Sequence, residues 1–249
     1  MKLIKNVSTI GGLTAVSRLF GFLRDILIAR VLGATAMGDA WQLAFMLPNI
    51  FRRLFAEGAF ASAFIPLFNR RVGMDGDKRA ALSFAEEILA ILLPVLVIFG
   101  GIALILMPWV VEYFITDGFE SDNNNLNIAI RTAQIAFPYI LFMSLATLIA
   151  AILNSLSRFA AAAAAPIILN LCLLVALGYG MTLDGGVKDR QTTVQLMAIA
   201  VSLSGVLQIL WLGFFLRRAG FKLGIKPPRI TEGVKELTIL AIPAIFGAG

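Results

Sequence analysis

The chain has 249 residues, 59% of them apolar and only 14% charged, with a mean hydropathy of +0.88 and a net charge of +6. Soluble domains run at roughly 45–50% apolar and about 25% charged, so this composition excludes an ordinary soluble domain and a disordered chain. Its basic residues sit between long apolar runs, which points them at anionic lipid and excludes a nucleic-acid-binding module.

Histidine is absent, and the one cysteine, Cys172, lies inside an apolar run. The usual general base, the commonest metal ligand and any internal disulfide are therefore excluded. Neither a P-loop nor a catalytic triad appears. The sequence predicts no enzyme, no catalytic residue, no metal site and no cofactor.

A bilayer core of about 30 Å asks for about 20 apolar residues in a helix. The first expected span runs over 5–31. Lys2 and Lys5 before an apolar stretch imitate a signal peptide, but Arg18 follows and no small-residue cleavage site is convincing, so a retained span is expected. Gly33 and the small residues up to Gly38 predict a turn. A second span is expected over 34–68, and both of these are interrupted by ionisable residues. Four uncharged runs then follow at 88–111, 132–157, 159–183 and 191–216. Backbone groups in lipid must be paired internally, so each is expected to be a helix.

Pro48, Pro94, Pro108, Pro138 and Pro166 fall inside the spans, where proline frees a carbonyl and favours a kink. The alanine run 160–165 and the surroundings of Gly178 read as close helix packing. Methionine and phenylalanine read mainly as lipid-facing. The segment 217–236 is basic, with Pro227 and Pro228 at its middle, and reads as a linker lying on anionic lipid. A seventh run begins near Leu237 and stops at Gly249 before it is long enough to cross. The expected organisation is a six-helix lobe over 1–236, including that linker, and the start of a seventh helix over 237–249. On this reading the sequence is part of a longer chain.

Alternating the loops places thirteen of the 21 basic residues on the side of the N-terminus and three on the other. The positive-inside rule then puts the N-terminus in the cytoplasm. The remaining five are Arg18, Arg24, Arg30, Arg52 and Arg53, inside the first two spans. A charge at a helix centre costs about 2.5–3.5 kcal/mol on insertion scales. Three acids accompany them: Asp25, seven residues from Arg18 and so on its face; Asp39; and Glu57, four from Arg53. Arg30 is near a membrane face and reads as snorkelling. Arg53 and Glu57 read equally as an internal pair or as functional groups. For Arg18, Arg24 and Arg52 the acids are too few, and a residual positive charge in a wet cavity invites an anion. Guanidinium keeps its charge and offers a planar fork to phosphate oxygens.

The same region carries long motifs: SRLFGFLRD at 17–25, ARVLGA at 29–34, Asp39 with Ala40, LPNIFRRLFAEGAF at 47–60 and AFIP at 63–66. These strings resemble the MurJ (MviN) family of lipid II flippases, within the exporter superfamily that includes the MATE drug exporters. Beyond residue 70 the likeness rests on span pattern. It implies the N-terminal lobe of an all-α, fourteen-helix protein built around a cationic cavity. It further implies transfer of undecaprenyl-pyrophosphate-linked peptidoglycan precursor (lipid II) across the bacterial inner membrane by alternating access. By the same likeness Arg18, Arg24 and Arg52 engage the pyrophosphate, and Asp25 positions the first helix. Asp39 and Glu57 support activity, and Ser17 and Arg53 belong to the motif. The implied partners are lipid II and membrane lipids. Rival readings are an exporter of other polyprenyl-linked precursors or of drugs, a scaffold holding cell-wall synthesis proteins, and a membrane enzyme acting on pyrophosphate lipids. An arginine excess argues against a cationic-drug cavity, a scaffold leaves buried arginines unexplained, and the enzyme lacks its metal ligands.

Overall fold

No water pairs with an N–H or C=O in hydrocarbon, so an apolar run that crosses must close its own hydrogen bonds, and the α-helix does this within one segment. The computed structural model describes residues 2–52, 59–75, 78–115, 123–183 and 187–247. Among these the regular elements are all α-helices: α1 Lys2–Val31, α2 Ala36–Arg52, α3 Ala59–Asp75, α4 Lys78–Ile115, α5 Asn123–Ala136, α6 Tyr139–Ser155, α7 Phe159–Gly180, α8 Val187–Arg218 and α9 Glu232–Gly247. Among the described residues, four helical segments are long and apolar enough to cross a membrane: Arg79–Tyr113, Asn124–Ser155, Phe159–Gly180 and Asp189–Arg218. They coincide with the four uncharged runs of the sequence, and the chain is an all-α, multi-pass membrane bundle.

The turn expected after α1 is present and built on glycine. Gly33 adopts φ 59°, and a Cβ on Gly38 would stand 2.5 Å from the Gly33 carbonyl oxygen. Thr35 opens α2, its hydroxyl accepting from the Gly38 N–H at 3.4 Å.

Elsewhere the helices depart from the expected spans. The run 132–157 is not one straight helix: it breaks at Phe137–Pro138 into α5 and α6. Pro138 has no N–H to continue the ladder, and the chain passes through short-range bonds from Ile140 N to Phe137 O and Leu141 N to Pro138 O, at 3.0 and 3.1 Å. Pro48, Pro66, Pro94, Pro108 and Pro166 stay inside continuous helices. Helix α9 starts at Glu232, five residues before the expected Leu237, because Thr231 caps it by accepting from the Val234 N–H at 3.4 Å.

Three apolar clusters hold the bundle together. One joins α3, α4, α6, α7, α8 and α9 around Phe64, Phe68 and Phe84, all essentially buried and stacked in series. Another joins α1, α2, α5, α6, α7 and α8 around Trp41, Leu177 and Met197. The third packs α2, α4 and α5 around Met107 and Phe137. These phenylalanines and methionines belong to the core, which corrects the lipid-facing reading: aromatic rings fill the wide spaces between helices. Exposed apolar side chains lie instead on α1, α4 and α8, such as Leu19, Ile105 and Leu210.

Glycine marks the tight crossings, though not at Gly178, around which a Cβ would meet nothing within 4 Å. At Gly180 it would stand 2.5 Å from Thr193 of α8, and at Gly205 only 2.6 Å from Cβ of Phe142 in α6. In the alanine run, Ala161 and Ala165 are buried, and the Trp211 indole N–H of α8 donates to the Ala161 carbonyl at 3.0 Å.

Candidate functional site

Helix α1 lies along α7. Ser17, Gly21 and Arg24 share a face of α1 at helical spacing, and all three are half-buried. Opposite them stands Asn170, a polar residue inside the apolar helix α7 and only 6% exposed. Its amide ties two turns of α1. Asn170 Nδ2 donates to the Ser17 carbonyl at 3.1 Å, and its Oδ1 accepts from Nη1 of Arg24 at 2.9 Å. Gly21 sits between these contacts, and a Cβ there would stand 3.7 Å from Asn170 Nδ2, an ordinary van der Waals distance.

The rest of the Arg24 guanidinium turns to Asp25, whose Oδ1 accepts from Nε at 2.9 Å and Nη2 at 2.8 Å. Asp25 therefore pairs with Arg24, not with Arg18 as the seven-residue spacing suggested. Seven residues span about 10.5 Å along the axis, beyond the reach of a contact pair, whereas the long arginine side chain folds back onto its neighbour. Arg18 is exposed and has no carboxylate partner among the described residues. Arg30 is exposed in the last turn of α1. Asp39 lies exposed in the first turn of α2, where a negative charge suits the helix N-terminus. Arg52 ends α2. Its side chain, together with Arg53 and Glu57, lies outside the described residues.

Arg24 opens onto a cavity of about 230 Å³. Phe45 and Asn49 of α2 line it, with Tyr139 of α6, Asn170 of α7 and Gln208 of α8. The guanidinium carbon lies 5.9 Å from the centre of the Phe45 ring, within cation–π range. Guanidinium has five N–H groups, and three are committed to Asp25 and Asn170. The chamber thus offers a fixed cation with spare donors, amide side chains and an aromatic wall. Among the described residues no group of histidine, cysteine or acidic side chains has the makings of a metal site. Asn170 and Gln208 were missed by sequence reasoning. Their signal was available: each is an amide within an uncharged membrane-length run, where polar side chains serve as interhelical links or line a path.

A second charged cluster lies where α3, α4 and α9 meet. Arg70 and Arg71 of α3 both pair with Glu236 of α9, and Arg71 stacks 4.0 Å from the Phe84 ring centre. The hydrogen bond from Arg70, followed by that from Arg71 and the charges of both, holds the Glu236 carboxyl below its ordinary range. The segment between α8 and α9 folds onto α4. Gly224 N donates to Glu86 at 2.7 Å, Lys226 Nζ reaches Glu86 at 3.0 Å and Ser83 at 2.8 Å, and the Thr231 hydroxyl donates to Glu87 at 2.8 Å. It is therefore docked on α4, with Lys222 and Arg229 left exposed alongside Ile225 and Ile230.

A family profile described as lipid II flippase MurJ matches residues 28–249. Probable lipid II flippases MurJ of Rhizobium tropici and Rhizobium meliloti are 42% and 40% identical, over 100% of this chain and 46% of each relative. The chain thus spans about half the length of the curated relatives it matches. A solved lipid II flippase MurJ in an inward closed conformation superposes with a TM-score of 0.59 at 21% identity, covering 96% of this chain and 47% of that one. That likeness speaks for the fold.

Proposed function

Because the chain belongs to the lipid II flippase MurJ family, we propose that it takes part in moving undecaprenyl-pyrophosphate-linked peptidoglycan precursor across the bacterial cytoplasmic membrane by alternating access. It forms six transmembrane helices and the start of a seventh, with the N-terminus in the cytoplasm and the residues up to 236 as one lobe. Arg18, Arg24 and Arg52 bind the pyrophosphate. Asp25 holds Arg24 in its bonding orientation, and Ser17, Asp39, Arg53 and Glu57 support the site or its gating. Lipid II and the surrounding membrane lipids are its partners.

The observation that supports this reading most is the setting of Arg24. An arginine within a membrane bundle is costly. Here its side chain is braced by Asn170 at 2.9 Å, backed by Phe45 and turned toward a cavity of about 230 Å³. Asp25 offsets its charge while two N–H groups remain to bond an oxyanion. Phosphate oxygens accept from such a fork without a proton transfer. The polyprenyl chain stays in lipid, and neutralising the headgroup lowers the cost of closing the chamber around it. A membrane potential biases movement of any net charge by about 2.3 kcal/mol per charge per 100 mV.

Binding of undecaprenyl diphosphate to the chain in nanodiscs, measured by native mass spectrometry, tests the proposal. R24A should weaken it by about tenfold or more, as loss of a charge-assisted hydrogen bond does. Equal retention of phosphatidylglycerol and undecaprenyl diphosphate, with R24A unchanged, would refute it.

A further inference from the structure

Gln208 is 1% exposed in the middle of α8, yet its Nε2 has no hydrogen-bond partner among the described residues. A buried amide left in that state is destabilising, and an apolar side chain of similar shape would avoid the penalty. Packing therefore gives no reason for a glutamine here. Its position does: Gln208 lines the same cavity as Arg24, from a different wall. Arg24 projects from α1, Asn170 from α7, and Gln208 from α8, with α7 packed against both α1 and α8. The other polar groups of that lining are engaged. Asn170 is bonded at both ends of its amide, and the Tyr139 hydroxyl donates to Met143 Sδ at 3.4 Å.

We infer that Gln208 is a specificity-determining residue that selects a diphosphate over a monophosphate: Arg24 takes one phosphoryl group and the Gln208 amide donates to an oxygen of the second. The inference rests on the pyrophosphate reading above and adds a residue of its own. An acceptor-rich ligand suits a lining whose spare groups are donors. A neutral amide adds a hydrogen bond without adding charge, so the ligand is recognised by its length and not held more tightly by net attraction alone. On this inference a monophosphate held by Arg24 gains nothing from Gln208.

The test uses the full chain in nanodiscs of zwitterionic lipid, titrated with farnesyl diphosphate and farnesyl monophosphate. The unaltered chain should prefer the diphosphate. Q208L should weaken diphosphate binding by about tenfold, the effect of one lost hydrogen bond to a charged group, while monophosphate binding stays within about twofold. Q208E, of the same shape but negative, should weaken the diphosphate further. R24A should weaken both ligands. The melting temperature of Q208L should equal or exceed that of the parent, since an unpaired buried amide has been removed. Unchanged diphosphate binding in Q208L, an equal loss for both ligands, or a Q208L chain that does not fold would each overturn the inference, the last by placing the amide in the packing. Failure of the unaltered chain to bind either ligand, or R24A leaving both unchanged, would remove the parent reading and this inference with it.

Discussion

Replacing Asn170 by Leu should loosen α1 from α7 and lower the stability of the bundle by about 2 kcal/mol. The estimate comes from the two bonds that the amide makes. That to Arg24 Nη1, at 2.9 Å, is charge-assisted, and such bonds contribute about 1.5–3 kcal/mol. That to the Ser17 carbonyl, at 3.1 Å, adds little, because this oxygen also belongs to the α1 ladder. Arg24 keeps Asp25 and touches solvent, so the loss falls in the lower half of the range. For a chain of this size about 1 kcal/mol moves the melting temperature by roughly 2–4 °C, so N170L should melt about 4–8 °C lower in detergent, followed by tryptophan fluorescence. A double-mutant cycle isolates the pair: R24A, N170L and R24A/N170L should reveal a coupling of at least about 1 kcal/mol, whereas independent sites add within about 0.5 kcal/mol. A coupling inside that margin would refute the brace, and with it the view that α7 orients the arginine.

Two further results are expected from contacts away from the pocket. G205A should destabilise the chain by about 1–2 kcal/mol, since its new Cβ would stand 2.6 Å from Phe142 Cβ and overpacking costs about 1–3 kcal/mol against a gain of up to about 1 kcal/mol in helix propensity. G213A, with nothing within 4 Å of its Cβ, should be neutral or stabilising, and paired thermal melts that move in the same direction would contradict this. The link from α3 to α9 should depend on acid. The folded Glu236 carboxyl is held below its ordinary value, so its contribution is complete above the ordinary glutamate range and is lost as pH falls through that range and below the folded value. The pair touches solvent, which limits it to about 1 kcal/mol. The difference in melting temperature between the parent chain and E236Q should therefore be present at pH 7 and shrink as pH falls through and below the ordinary glutamate range; a difference that does not change with pH would show that the arginine contacts are not its source.

Much of the bundle was legible in the sequence because hydrocarbon is a severe solvent. Runs such as 159–183 and 191–216 have one way to satisfy their backbone, and α7 and α8 follow them closely. Gly33 and Gly38 likewise announce their turn, since one needs a positive φ and the other a missing Cβ. The break at Pro138 was less legible: Pro48 and Pro94 have the same chemistry and their helices continue. The candidate site was half legible. The cost of a charge in lipid draws attention to all five arginines of the first two expected spans from residue type alone, but that cost says nothing about partners.

The sequence by itself determined an all-α membrane protein with an excess of arginine in its first helices, because composition and run length act through the solvent and need no knowledge of neighbours. Only the tertiary structure decided that Asp25 serves Arg24, that Asn170 braces two turns of α1 from 146 residues away in the chain, and that Gln208 faces the same chamber. Hydrogen bonds are short and directional, so their partners are chosen by which helix faces meet, and that is set by packing across the whole bundle.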